Sequence, residues 1–158
     1  MTNKTVRRSV FLAALAVLAI VLVLAFGLST VATAFDQPSA SISGIASGNQ
    51  VTYSITLRNP NPQPIGDIFL AGKVPEGAVL DQVTATPAGA QFLGLQDGNA
   101  VWLANSIPAS GSLGPFSYRV NIAKQPIGPA WAFLRWLAPQ EGTYISPQVP
   151  YQQAVAAS

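Results

Sequence analysis

Val10–Leu28 reads VFLAALAVLAIVLVLAFGL, nineteen residues without a charged or hydrogen-bonding side chain. A helix of that length rises roughly 28 Å, close to the hydrocarbon thickness of a bilayer. Thirteen of the nineteen are Leu, Ile, Val or Phe, each contributing about −0.3 to −0.6 kcal/mol to insertion, with no charge opposing them. The segment is predicted to enter a membrane as a single helix, so residues 9–28 have lipid as their partner. Lys4, Arg7 and Arg8 precede the run, whereas the dozen residues after it carry only Asp36. The positive-inside rule leaves residues 1–8 as a cytoplasmic basic tail and puts residues 35–158 outside the cytoplasm. Ala32-Thr33-Ala34 fits the small-x-small pattern of a signal-peptidase site, yet the apolar run is longer than a usual signal core. Residues 9–34 therefore read either as a retained single-pass anchor or as a signal peptide cleaved after Ala34, releasing a secreted or cell-surface chain.

The 124 residues that follow suit one domain with a modest core. Their five basic residues (Arg58, Lys73, Arg119, Lys124, Arg135) face six acids scattered along the chain. No clustered basic face is visible, which argues against nucleic acid as a partner. There is no cysteine and no histidine. Disulfides, thiol nucleophiles, imidazole bases and the ordinary zinc and copper ligand sets are thereby removed, and no cofactor or metal is expected.

All thirteen prolines and twelve of the thirteen glycines lie beyond residue 37. Spread among Val, Ile, Thr, Tyr and Phe, they predict short strands and many turns, hence an all-β fold. After a spacer at 35–40, a weak strand is expected over 41–46. In QVTYSITLRN, Val51, Tyr53, Ile55 and Leu57 point one way and Thr52, Ser54, Thr56 and Arg58 the other, the period of a half-buried strand. Three prolines at 60, 62 and 64 end it, because proline donates no ladder hydrogen bond. Further strands are predicted over 66–74 (Ile68 and Leu70 inward, Lys73 outward), 79–85, 90–95 and 100–105. The Asp97-Gly98 pair suits a hairpin turn needing positive φ. A loop over 108–114 precedes a cleanly alternating strand at 116–122. PAWAFLRWL at 129–137 fits either a helix between Pro129 and Pro139 or a strand covered on both faces. GTYISPQVPY ends the sandwich near residue 150, and 151–158 is expected to fray.

QVTYSITLRNPNPQPIGDIFLAGKVPEG resembles the Ig-like repeats of bacterial and archaeal surface proteins grouped as domain of unknown function 11. Gly48, Val51, Tyr53, Ile55, Leu57 and Asn59 match the first half of the repeat pattern, and Pro75 and Gly77 its P-x-G turn. Trp102 occupies the place of a strand tryptophan, residues 107–111 resemble the loop before the penultimate strand, and Trp136, Gly142, Ser146 and Val149 resemble the closing segment. One departure is Gly72, where the repeats carry Asp. The resemblance covers about residues 40–150 and implies an Ig-like Greek-key β-sandwich of seven to nine strands in a non-catalytic surface protein. Family members are usually tandem, and this chain carries one copy.

No two carboxylates form a recognisable acid–base pair, no serine sits in a nucleophile-elbow context, and Asp97-Gly98-Asn99 lacks the spaced oxygens of a calcium loop. A Lys73–Asn59 crosslink is disfavoured by the outward phase of Lys73. Trp131, Phe133, Arg135, Trp136, Tyr144 and Tyr151 are the candidate contact residues. They fill one end of the sandwich, or form a docking patch for a protein or lipid headgroups, or form a sugar-stacking platform. The reading is a membrane-anchored module making protein contacts, such as an accessory subunit of a larger membrane assembly. The alternatives are a secreted surface or adhesion component and a carbohydrate-binding domain.

Overall fold

A computed structural model describes residues 34–151 and Val155–Ala156. The apolar run and basic tail lie outside the described residues, and among those described no helix is long and apolar enough to cross a membrane. Ten strands form two five-stranded sheets: β1 (Ser39–Ser47), β2 (Gln50–Arg58), β3 (Ile65–Lys73), β4 (Ala78–Ala85), β5 (Ala90–Gln96), β6 (Asn99–Ile107), β7 (Ser112–Ile122), β8 (Ala132–Trp136), β9 (Gly142–Ile145) and β10 (Val155–Ala156). The first sheet runs β10-β1-β2-β7-β4 and the second β5-β6-β3-β8-β9. All named pairings are antiparallel except β10 on β1.

This order contains the constant-type immunoglobulin arrangement, with β1, β2, β7 and β4 as strands A, B, E and D, and β3, β8 and β9 as C, F and G. The β5–β6 hairpin is an addition between D and E that pairs with the edge of C left open in the plain fold. Its turn has the expected chemistry: Asp97 and Gly98 have φ of 48° and 73°, the doubly positive geometry of a type I′ hairpin.

Two boundaries differ from expectation and one open alternative is settled, each through a long-range pairing. PAWAFLRWL is strand over Ala132–Trp136, because its backbone groups complete the ladder of β3 (Ala71↔Phe133, Phe69↔Arg135). β7 starts at Ser112, inside the expected 108–114 loop. Leu57↔Leu113 and Arg58↔Ser112 continue the ladder there, past a register shift that accommodates Gly114 and Pro115. Two residues of the expected frayed tail, Val155 and Ala156, pair with Ile45 and Ala46; with them the sandwich has ten strands, against the seven to nine that the resemblance implies.

The core lies between the sheets. Trp102 is its centre, with ring centroids 5.3 Å from Phe92, 5.8 Å from Phe116 and 6.1 Å from Tyr118. Large side chains buried this way contribute roughly 1.5–3 kcal/mol each. Gly72 faces inward: a Cβ there would stand 2.8 Å from the Tyr118 ring and 2.9 Å from Ile55 Cδ1. A side chain at Gly72 would therefore require Tyr118 or Ile55 to shift. At one end of the sandwich a buried amide pair ties three segments together. Asn59 Nδ2 donates to the Gln63 and Pro108 carbonyls, and its Oδ1 accepts from the Asn61 backbone and side chain. Asn61 in turn pairs both ways with the backbone of Asp36, at 2.8 and 2.7 Å.

Candidate functional site: the outer face of the second sheet

Alternation decides which residues reach this face. On β3, Ile68, Leu70 and Gly72 point into the core, so Phe69, Ala71 and Lys73 point out. The register carries the same parity across the sheet, giving one row of Gln91, Leu103, Phe69, Arg135 and Thr143 and a second of Val101, Ala71, Phe133 and Ile145. Most of these positions are apolar. Leu103 is 45% exposed and Ile145 64%, whereas Val101 and Ala71 are small and sunk to 2% and 7%. The first row therefore stands as a ridge and the middle of the second as a trough. Phe69 and Phe133 meet edge to face, with centroids 6.4 Å apart.

Depressions flank that ridge. One, of about 520 Å³, lies among Asp67, Phe69, Leu103, Asn105, Arg135 and Leu137. The other, of about 260 Å³, lies over Ala71 and Val101, between Phe69 and Phe133, with Trp131 at one end. Charge sits at the margins. Arg135 donates to Glu141 at 2.6 Å, an exposed pair of modest worth. Asp67 has a φ of 54°, a left-handed conformation that Asp tolerates better than most residues. It is exposed on the rim and is in no ion pair among the described residues.

The six candidate residues divide by parity. Phe133 and Arg135 lie on the outer face and Trp131 at its margin. Trp136 is 3% exposed and belongs to the core, its ring held against Gly142, where a Cβ would collide with it. Tyr144 and Tyr151 are half-buried and pack against the core. The tryptophans that a sugar-stacking platform would need thus do not share a surface. Phe69, Leu103 and Ile145 were not among the candidates. Their signal was present: with Ile68 and Leu70 read as inward, Phe69 is a large aromatic at outward parity.

Burial acts on two tyrosines beneath the first sheet. Tyr118 is raised above the ordinary phenol value by burial and then by Tyr53, and its hydroxyl donates to the Lys73 carbonyl at 2.6 Å. Tyr53 is pushed up to about 12, by burial first and Tyr151 second, and its buried hydroxyl has no partner among the described residues. Neither lines the two depressions of the second sheet. No group of three or more His, Cys, Asp or Glu is placed to hold a metal among the described residues.

No protein-family model matches the chain, and no curated protein sequence does. Among solved structures it is similar to the collagen-binding subdomain of the Enterococcus faecalis surface protein ACE, at 18% identity and a TM-score of 0.45, over 73% of this chain and 98% of that one. It is also similar to the collagen-binding domain of a Staphylococcus aureus adhesin, at 12% identity and a TM-score of 0.44, over 73% and 98%. A third is the Vibrio harveyi GH20 exo-β-N-acetylglucosaminidase, at 12% identity and a TM-score of 0.43, where 78% of this chain covers 19% of the enzyme. All three scores lie below 0.5, and the fold stated above rests on its own strand register.

Proposed function

We propose that the protein is a non-catalytic, extracytoplasmic β-sandwich module, anchored through residues 9–28, that makes protein–protein contacts with the outer face of its second sheet. The observation that carries this reading is the apolar outer face of Leu103, Phe69, Phe133 and Ile145, on which Leu103 and Ile145 stand exposed and the two phenylalanines half-buried. An exposed apolar surface rimmed by polar groups marks interaction sites in folded proteins. Its aromatic and Arg content is that of contact surfaces. The apolar run and its charge asymmetry support the anchor and its orientation.

Because the chain lacks cysteine, single cysteines report cleanly. A cysteine at exposed Ser43 is expected to react with a membrane-impermeant maleimide in intact cells, and protection there would place the sandwich in the cytoplasm. The mass of the mature chain separates anchor from secreted protein, because loss of residues 1–34 removes the anchored form. A photoreactive side chain at Leu103 should give a discrete protein adduct that one at Thr52, on the opposite sheet, does not. Equal adducts from both positions would overturn the assignment of the face.

A further inference from the structure

We infer that the occupant of this face is a second copy of the chain, seated face to face with its strands antiparallel. The inference rests on the reading of the face as a protein-contact surface and names its partner.

A two-fold interface requires a surface complementary to itself, and the register supplies one. Let the two-fold axis run across the strands, between the Phe69 row and the Ala71 row. Each strand then lies over its own counterpart, reversed, within the roughly 30° at which sheets pack. The first row of one copy meets the second row of the other. Phe69 lies over the second copy's Ala71, and Leu103 over its Val101, so each ridge enters the trough that the sunken residues leave. The Arg135 guanidinium comes over the Phe133 ring, a cation–π geometry reached through the pairing of both residues with β3.

The ends of β3 fix the direction. Asp67 lies toward one end and Lys73 at the other, on the order of 20 Å apart at strand rise. Neither is in an ion pair among the described residues. Antiparallel stacking sets Asp67 against Lys73 twice, whereas parallel stacking would set like charges together. The footprint is about 20 Å along the strands by about 19 Å across four of them, on the order of 400 Å² per copy. That is about 800 Å² in total, below the roughly 1,200 Å² at which stable specific interfaces begin and in the range of weak, transient contacts, so the dimer is reversible and depends on concentration.

Sedimentation velocity of the full chain in detergent, over a range of protein concentrations, tests this. A monomer–dimer equilibrium is expected, and Leu103→Asp, a change at an exposed position that leaves the core intact, should abolish it. Lys73→Asp and Asp67→Lys should each weaken dimerisation about fivefold or more, and the double swap Asp67→Lys/Lys73→Asp should recover most of the loss. A chain that stays monomeric at every concentration overturns the inference. So does a dimer indifferent to Leu103→Asp, or a double swap no better than either single change. The two readings separate through the Leu103 photoadduct: an adduct to a different protein, with a monomeric chain, keeps the contact face and discards the second copy. No adduct of any kind discards both.

Discussion

The outer face of the first sheet is lined by Ser41, Ser43, Thr52, Ser54, Thr56, Arg119 and Asn121, with Ile45 and Val79 its exposed apolar exceptions. Its groups satisfy one another, as in the 2.8 Å hydrogen bond between Ser54 and Ser117 and the ion pair of Arg119 with Asp81. The matching face of the second sheet carries Phe69, Leu103, Phe133 and Ile145 instead. Both sheets bury their other face in one core, so the difference does not arise from stability. A solvated antiparallel sheet alternates apolar and polar residues, whereas near-continuous apolar runs belong to strands covered on both sides. IFLAG in β3 and AFL in β8 are runs of the second kind, on a sheet that the described chain covers on one side only.

The largest expected effect comes from adjacent residues of β6 that face opposite ways. Trp102→Ala should cost about 3–5 kcal/mol in urea unfolding, as for buried aromatics in general. Leu103→Asp should stay within about 0.5 kcal/mol. A comparable loss for both would mean that the second face is core rather than surface. Next comes Asn61→Ala, which strands the backbone N–H and C=O of Asp36 and should cost about 1–3 kcal/mol by the same assay.

The tyrosines under the polar face sharpen the contrast further. Tyr118→Phe removes the hydrogen bond to Lys73 and should cost about 1 kcal/mol, whereas Tyr53→Phe removes an unpartnered buried hydroxyl and should be neutral or stabilising. Because burial raises the folded-state value of Tyr53 to about 12 from 10.0, the folded chain holds its proton where the unfolded chain has lost it. Its contribution is complete below pH 10 and is lost as pH rises toward 12. Unfolding midpoints measured from pH 8 upward should fall above about pH 10, and less steeply in Tyr53→Phe. The smallest effects belong to the two surface ion pairs. Arg119→Ala on one face and Glu141→Gln on the other should each change stability by less than about 1 kcal/mol, and less still in high salt.

Strand β2 and the 116–122 part of β7 were legible from local alternation alone, as were the Asp97-Gly98 hairpin and the inward direction of Tyr53, Ile55 and Leu57. Each depends on period two and on turn chemistry, which neighbours in sequence supply. The state of residues 129–137 was not legible, because helix and strand both satisfied its local pattern until the open edge of β3 chose between them. The candidate site was half legible. Phe133 and Arg135 reach the surface while Trp136, one residue on, is core, and only the register with β3 and β9 says which parity faces out. Sequence by itself determined that a strand-rich domain with no cysteine or histidine follows an apolar segment. Tertiary structure decided which of the two sheet surfaces stays greasy, because the Phe69–Leu103–Phe133 surface is assembled from strands far apart in the chain, and separation along the sequence hides a shared face.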